Sequence, residues 1–419
     1  MAEEKTIYVY ADWIGINPIF IGTLYANSRR TKELFSFEYD ETWLSRTEES
    51  LMLDPDLSMY KGRQYAPVHK ELFGLFSDSC PDRWGRLLMK RREAILAKKE
   101  DRKPRNLTES DFLLGVFDES RMGALRFKTD KEGGFLSYDR ELSTPPWTTL
   151  RKLETASIAF ENDESGLQEK WLNQLLAPGS SLGGARPKAT VQAPNGDLWI
   201  AKFPSKQDEY NSGAWEMVVH DLALSCKLDV PEAKCERFSK AGSTFLVKRF
   251  DRNSGKRIHF ASAMTLLGKT DGASGDDGSS YLDLASFIKA YGAKPEQDLK
   301  ELWKRIIFNM AVSNTDDHLR NHGFILEKTG WRISPLYDVN PSIYGDTLSL
   351  NITATDNSIN FELALETAAL YGISLNLAKT MLEDIKNIVS TTWMTAAKKY
   401  GLNRNAIEYM EPAFNMKLK

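Results

Sequence analysis

The sequence is poor in cysteine and has no long hydrophobic run. Its three cysteines, Cys80, Cys226 and Cys235, are too few and too scattered for a disulfide framework or a zinc site. No stretch approaches the roughly 20 apolar residues that are needed to cross a membrane. The N-terminus carries acids where a signal peptide needs basic residues. These absences predict a protein of the reducing cytoplasm with no membrane partner.

A strong charge imbalance is also missing. The formal net charge of the 419 residues is -3, so the overall charge does not call for nucleic acid or anionic lipid as a partner. One local basic run, KRREAILAKKEDRKPR at residues 90–105, is a candidate for binding an acidic partner. A solvated helix face is the more common use of such a run.

The pattern along the chain predicts an α+β protein with more than one structural unit. Residues 1–150 mix strand patterns such as TIYVYADWIG, IFIGTLYAN and FSFEY with the helix pattern RWGRLLMKRREAILAKK, which Pro81 and Asp82 are placed to begin. Residues 151–250 are rich in strand patterns, and residues 251–419 are mostly helical. The glycine-rich, acidic stretch at residues 269–280 is predicted to be a flexible surface insertion.

A glycine-rich segment followed by a hairpin suggests a place for phosphates. Small residues from 179 to 185 allow a backbone to approach an anion closely. KATVQ and DLWIAKF then read as two strands joined by a PNG turn. Lys202 shares a strand face with Leu198 and Ile200, and a lysine on an apolar face needs a partner. Protein kinases hold ATP phosphates with such a strand lysine, although an ordinary hairpin remains an alternative. No Walker A motif is present.

The helix pattern that follows supplies a candidate partner for this lysine. In NSGAWEMVVHDLALS, Glu216 is predicted to lie in the first turn, beside the buried stripe. In kinases a helix glutamate aims the strand lysine at the phosphates. An acid near a helix N-terminus can also be present only for the helix dipole.

The stretch NTDDHLRNHGF carries the strongest catalytic pattern. Asp316 and Asn321 have the D-x-x-x-x-N spacing of the kinase catalytic base and a magnesium-binding asparagine. The next residues predict a short hairpin that returns the chain to Asp338, where kinases place a second magnesium ligand. Asp317 is adjacent to Asp316, and this leaves the identity of the base open.

A metal site is the rival interpretation of the same stretch. His318 and His322 are four residues apart, and Asp316 or Asp317 could complete a transition-metal site if the segment were helical. The segment is rich in loop formers, which argues against a helix. We expect instead that His318 orients the loop through a hydrogen bond.

Five segments together resemble a known family. SSLGGARPKA, IAKFPS, LVKRFDR, NTDDHLRNHGF and PLYDVNPS are similar to the HipA-type serine/threonine kinases, the toxin components of bacterial type II toxin–antitoxin systems. The resemblance implies a bilobal, protein-kinase-like fold. Residues 1–150 would form an N-terminal α/β subdomain, residues 151–250 the β-rich ATP-binding part, and residues 251–419 a helical lobe with the catalytic loop.

The resemblance also implies roles for individual residues, with ATP and Mg²⁺ as cofactors. Asp316 would be the base, and Asn321 and Asp338 would bind the metal. Ser181, or the adjacent Ser180, would be autophosphorylated, and the added charge would eject the loop. Residues implied to contact ATP are Gly183, Gly184, Ala185, Lys188, Lys202, Glu216, Lys248, Arg249, Phe250 and His318.

Partners are implied in the same way. Family members pair with a small helix-turn-helix antitoxin, reach operator DNA through the antitoxin complex, and phosphorylate an aminoacyl-tRNA synthetase to stop translation. Two alternatives stay open: a small-molecule phosphotransferase on the same fold, and a scaffold without turnover that holds an antitoxin and DNA.

Overall fold

The computed structural model describes residues 4–29, 32–46, 51–136, 144–162, 175 and 184–415. Ser180, Ser181 and Gly183 lie outside the described residues. The chain forms two compact units, one made of residues 1–206 and 249–261 (unit 1) and the other of residues 207–248 and 262–419 (unit 2). The three-part division at residues 150 and 250 stays a prediction. None of the helices in the described ranges is long and apolar enough to cross a membrane.

The strands occur throughout the chain. In chain order they are β1 (Glu4–Ala11), β2 (Ile19–Arg29), β3 (Lys32–Tyr39), β4 (Gln64–Tyr65), β5 (Leu125–Lys128), β6 (Lys188–Gln192), β7 (Leu198–Lys202), β8 (Ala233–Glu236), β9 (Thr244–Lys248), β10 (Arg252–Asn253), β11 (Lys256–Arg257), β12 (Phe260–Ser262), β13 (Gly323–Glu327) and β14 (Gly330–Ile333).

The longest helix among the described residues, with 25 residues, belongs to unit 2. In chain order the α-helices are α1 (Glu41–Leu44), α2 (Gly74–Ser77), α3 (Arg83–Lys99), α4 (Glu109–Leu114), α5 (Leu150–Glu161), α6 (Ser212–Ser225), α7 (Ala263–Leu266), α8 (Tyr281–Tyr291), α9 (Pro295–Ala311), α10 (Phe361–Thr367), α11 (Leu375–Lys399) and α12 (Arg404–Phe414). The mixture of sheets and helices confirms the α+β class.

A five-stranded sheet with the order β4-β3-β2-β1-β5 forms the first part of unit 1. Alternate residues of β1, namely Ile7, Val9 and Ala11, are fully buried, because successive side chains of a strand point to opposite faces. Strands β1, β2 and β3 pair antiparallel. The strand predictions for this region are confirmed.

Helix α3 begins where its sequence predicts. Asp82 is the N-cap and accepts a hydrogen bond from the Gly85 N–H at 2.8 Å. The basic run at residues 90–105 contains a buried acid, Glu93, which accepts hydrogen bonds from the side chain of Arg102 and from the Arg105 N–H. Part of the positive charge of this run is therefore paired with Glu93 and is not available to a partner.

Helix α9 is central to unit 2. Its Leu302, Trp303, Ile306 and Ile307 are fully buried, and it packs against α8, α10 and α11. The chain then passes through a loop at residues 312–322 and forms the antiparallel β13–β14 hairpin. This hairpin confirms the predicted return of the chain toward Asp338.

The prediction of a flexible insertion at residues 269–280 is wrong. Ser274 and Ser280 each form a capping box with the aspartate three residues later. The Gly275 N–H donates to the Ser349 carbonyl at 2.7 Å, and the Asn351 side chain donates to the Gly275 carbonyl. These serines and aspartates are capping residues, and a count of glycines and acids does not reveal that role.

Candidate active site

The loop between α9 and β13 is held in place by backbone hydrogen bonds. The Ser342 N–H donates to the Ser313 carbonyl, and the Ala263 N–H donates to the His322 carbonyl at 2.8 Å. Ser313 adopts a left-handed conformation with φ of 51°, which turns the chain as it leaves the helix. The position of Asp316 therefore depends on contacts at both ends of the loop.

Asp317 forms the buried anchor of this loop. Its Oδ2 accepts hydrogen bonds from the Tyr281 hydroxyl at 2.5 Å, from Asn309 Nδ2 at 2.5 Å and from His322 Nε2 at 2.9 Å. Burial acts to raise the pKa of Asp317, but the His322 ring and these hydrogen bonds outweigh it and lower the pKa. Asp317 is almost fully buried and is used for structure, so of the two adjacent acids only Asp316 is accessible to a substrate.

Asp317→Asn is therefore expected to lower the free energy of unfolding by about 3 kcal/mol, because an amide cannot replace a carboxylate that receives three donors. The folded-state pKa of Asp317 is below its usual value, so its stabilisation is present above that value and is lost as the pH falls through the lowered pKa. Urea unfolding at pH 7 measures the loss, and the acid limb of the stability profile should flatten in the variant. Asp276→Asn, at an exposed acid of the same unit, is the control. Equal stability of the two variants would contradict this role.

Asp316 has a different environment. Most of its side chain is open to solvent, and His318 Nε2 lies 4.0 Å from its Oδ1. Partial loss of hydration raises the pKa of Asp316, and the negative charges of Asp338 and Asp317 raise it further, while His318 acts in the opposite direction. The residues on either side of Asp338 are hydrogen-bonded to the same loop: the Tyr337 hydroxyl donates to the Arg320 carbonyl at 2.8 Å, and the Asn340 N–H donates to Asn314 Oδ1 at 3.4 Å. The fold therefore brings together two acids that are 22 positions apart in the sequence.

Asn321 has one satisfied and one orphaned polar atom. Its Nδ2 donates to the Asp316 carbonyl at 2.9 Å, which fixes the amide plane. Its Oδ1 is buried and has no hydrogen-bond partner among the residues that the structure describes. An unpaired buried acceptor is costly, so this oxygen fits a role as a ligand for a cation. Mg²⁺ prefers carboxylate and amide oxygens, and Asn321 and Asp338 offer one of each.

Asp338 adopts a left-handed backbone conformation with φ of 57°. This conformation costs free energy for residues with a side chain, although aspartate and asparagine tolerate it better than most. Strained residues of this kind cluster at functional sites.

The two-histidine metal site fails on geometry. Residues 316–322 are not helical, and the His322 ring is fully buried against Asp317 and the ring of Tyr281. Within the described ranges, no group of three or more His, Cys, Asp or Glu side chains is arranged to hold a metal ion. The predicted orienting hydrogen bond of His318 is not formed: its Nε2 lies 4.0 Å from Asp316 Oδ1, and its buried Nδ1 has no hydrogen-bond partner among the described residues.

In unit 1, the two lysines of the predicted phosphate-binding hairpin lie opposite each other. Lys188 pairs with Lys202 in the β6–β7 register. Lys202 is 7% exposed and Lys188 is 2% exposed, so neither side chain extends into bulk water. Lys188 Nζ donates to Asp82 Oδ2 at 2.7 Å and to the Gly184 carbonyl at 3.0 Å. Asp82 is a partner that the sequence reasoning did not assign to Lys188. Gly184 and Ala185 are exposed and have no regular secondary structure.

Three of the residues implied to contact ATP, namely Lys248, Arg249 and Phe250, have mixed environments. Arg249 is buried in unit 1, where it forms an ion pair with Asp251 and donates to the carbonyls of Ser120 and Arg121. Phe250 is half-buried and packs near the ring of Phe260. Lys248 is half-buried at the end of β9 in unit 2. The side chain of Arg249 therefore serves the packing of unit 1.

Glu216 lies in the second turn of α6, and the predicted first-turn position is wrong. Asn211 is the N-cap and accepts a hydrogen bond from the Ala214 N–H, so the helix begins at Ser212 and Glu216 is its fifth residue. The carboxylate is buried, with 5% of the residue exposed. An acid that serves only the helix dipole is expected to be exposed, and Glu216 is not.

Comparison with known proteins identifies relatives of this chain. The family model described as "HipA-like C-terminal domain" matches residues 180–393, just over half of the chain. A protein named "Putative kinase Y4mE" from Sinorhizobium fredii is 30% identical over 183 residues, which cover 38% of this chain and 41% of the relative. A protein named "Putative kinase" from Haemophilus influenzae is 27% identical over 195 residues, which cover 43% of this chain and 53% of the relative. The chain thus spans about half the length of these relatives.

A solved structure is similar to the chain over nearly its whole length. A chain in the complex of the Shewanella oneidensis MR-1 toxin–antitoxin system HipA, HipB and operator DNA has a TM-score of 0.62 and 17% identity. The match covers 97% of this chain and 96% of that chain. At this identity the similarity shows a shared fold, and it agrees with the kinase-like α+β prediction.

Proposed function

The chain belongs to the family of the HipA-like C-terminal domain, and from this premise we propose that it is a Mg²⁺/ATP-dependent protein serine/threonine kinase. The observation that carries the proposal is the environment of Asp316. The Asp316 carboxylate is accessible, and the orphaned Asn321 Oδ1 belongs to a side chain that donates to the Asp316 carbonyl. Tyr337 and Asn340, on either side of Asp338, are hydrogen-bonded to the same loop, and the charge of Asp338 contributes to raising the pKa of Asp316.

Each residue takes a role that its environment permits. Asp316 accepts the proton of the substrate hydroxyl as the hydroxyl oxygen attacks phosphorus, and the bond to the leaving ADP oxygen breaks. Asn321 Oδ1 and Asp338 would hold the metal, which would neutralise negative charge on the phosphates. Lys202, on the hairpin of unit 1, binds the phosphates. Asp317 keeps the loop in position and takes no part in proton transfer.

The proposed biological role concerns the partners and the protein substrate of this chain. The solved complex from Shewanella oneidensis contains HipA, HipB and operator DNA. We extend this arrangement to the present chain: a small helix-turn-helix antitoxin would bind it and would connect it to DNA. An aminoacyl-tRNA synthetase is the proposed protein substrate, and phosphorylation of Ser181 or Ser180 would inactivate the kinase.

Mass spectrometry of the purified protein after incubation with Mg²⁺ and ATP tests this proposal. We expect a mass increase of one phosphate, mapped to Ser181 or Ser180, and no increase when Mg²⁺ is chelated. The double substitution of both serines by alanine should abolish the modification and preserve labelling of a protein substrate. Phosphorylation of small hydroxyl compounds without any labelled protein would replace the proposal with a small-molecule phosphotransferase.

A further inference from the structure

The ammonium group of Lys188 connects helix α3 with the glycine-rich segment inside unit 1. It donates to the Asp82 carboxylate at 2.7 Å and to the Gly184 carbonyl at 3.0 Å. The two side chains of the ion pair are 2% and 1% exposed. A buried ammonium is costly unless it is paired with an acceptor, preferably an ionised one. Asp82 supplies that negative charge, and the same ammonium group also donates a hydrogen bond to the Gly184 carbonyl.

Asp82 is itself held firmly. Its Oδ1 accepts the Gly85 N–H at 2.8 Å, which leaves Oδ2 for Lys188. A Cβ on Gly85 would lie 2.8 Å from the Pro81 Cβ, so glycine permits the tight start of the helix. Trp84 of the same turn donates its Nε1–H to the Lys188 carbonyl at 3.1 Å. The first turn of α3 therefore contacts both the side chain and the main chain of Lys188.

The ion pair between Lys188 and Asp82 lies next to Lys202, the lysine that is proposed to bind phosphates, because Lys202 is the β7 partner of Lys188. Lys188 and Lys202 are directly opposed in an antiparallel pair, so their side chains share one face of the hairpin. Two ammonium groups on one buried face repel each other. The Asp82 carboxylate offsets this repulsion and determines where one of the two positive charges lies.

We propose that Asp82 is a positioning residue for nucleotide binding. It fixes Lys188, and through Lys188 it fixes Gly184 and the strand opposite Lys202. The nucleotide part of this inference rests on the proposed kinase function, whereas the restraint on residues 184–188 does not.

Asp82→Asn in the full-length protein isolates the charge. Asparagine caps a helix about as well as aspartate, so the hydrogen bond to Gly85 is retained while the ionic contact with Lys188 is lost. We expect the Kd for ATP in the presence of Mg²⁺ to rise about tenfold, as for coupled charged neighbours. Amide hydrogen exchange of residues 184–188 should become faster, and kcat at saturating ATP should change much less than KM. Asp40→Asn is the matched control, because Asp40 caps α1 by accepting the Thr42 N–H at 2.9 Å.

Three results would overturn the inference or part of it. Unchanged ATP affinity and unchanged exchange in a folded Asp82→Asn protein would limit Asp82 to capping the helix. If that variant does not fold, Lys188→Met and the Asp82→Asn/Lys188→Met double variant replace it. Both should then bind ATP equally weakly, and wild-type affinity in either would refute the proposal. Absence of ATP binding by the wild type would refute the kinase function and the nucleotide role together, while hydrogen exchange would still test the restraint on Gly184.

Discussion

Asp316→Asn is expected to reduce phosphoryl transfer about a thousandfold, which corresponds to about 4 kcal/mol of activation free energy. The amide has nearly the same shape as the carboxylate but cannot accept the proton of the attacking hydroxyl at neutral pH. The side chain of Asp316 is mostly open to solvent, so the melting temperature should stay within about 2 °C of the wild-type value. Initial rates of phosphate transfer from ATP measure the loss, and a Mg²⁺/ATP binding assay should show that the Kd is changed far less than kcat.

Two other acids of unit 2, the adjacent Asp317 and the exposed Asp276, provide controls for this result. The Asp317→Asn variant should be less stable than the wild type. The kinase activity of its folded fraction should fall only to the extent that the loop at residues 312–322 is displaced. Asp276→Asn should behave as wild type in both respects. If Asp316→Asn retained wild-type turnover, Asp316 could not be the base and the loop would have no assigned proton acceptor.

Local patterns were sufficient to predict the elements that carry the candidate site. The bounds of α3, Arg83–Lys99, match the predicted helix because its cap, apolar spacing and length are all encoded in consecutive residues. The β6–β7 hairpin follows in the same way from a turn signal between two alternating strands. Such elements are specified by residues that are close in sequence, and the sequence therefore reveals them.

Interactions between distant residues were not predictable in this way. The difference between Asp316 and Asp317 depends on Tyr281 and Asn309, which come from two different helices and reach only Asp317. The pairing of Lys188 with Asp82 joins residues 106 positions apart. The apolar-face pattern indicated only that Lys202 needs a partner, with Glu216 as the candidate. Only the packed fold identifies Asp82, at a helix N-cap, as the partner of Lys188.

Asp338→Asn separates the charge of Asp338 from its backbone conformation. Asparagine tolerates a φ of 57° nearly as well as aspartate, so the turn that places residue 338 should be kept. Alanine would add strain of about 1–2 kcal/mol and would confuse the two effects. Asp101→Asn is a matched control, since Asp101 is exposed and has a φ of 50°.

The first expected result of Asp338→Asn concerns Asp316 alone and needs no activity. Removing the nearby negative charge should lower the pKa of Asp316 toward its ordinary value, and carboxyl-carbon NMR titration measures this change. The second expected result is that Mg²⁺ no longer strengthens ATP binding and that turnover falls about a thousandfold. If the pKa of Asp316 falls but turnover stays normal, the two carboxylates interact but Asp338 is not a metal ligand. An unchanged pKa of Asp316 would mean that the carboxylates of Asp316 and Asp338 do not interact. The assignment of these two residues to one catalytic site would then lose its electrostatic support.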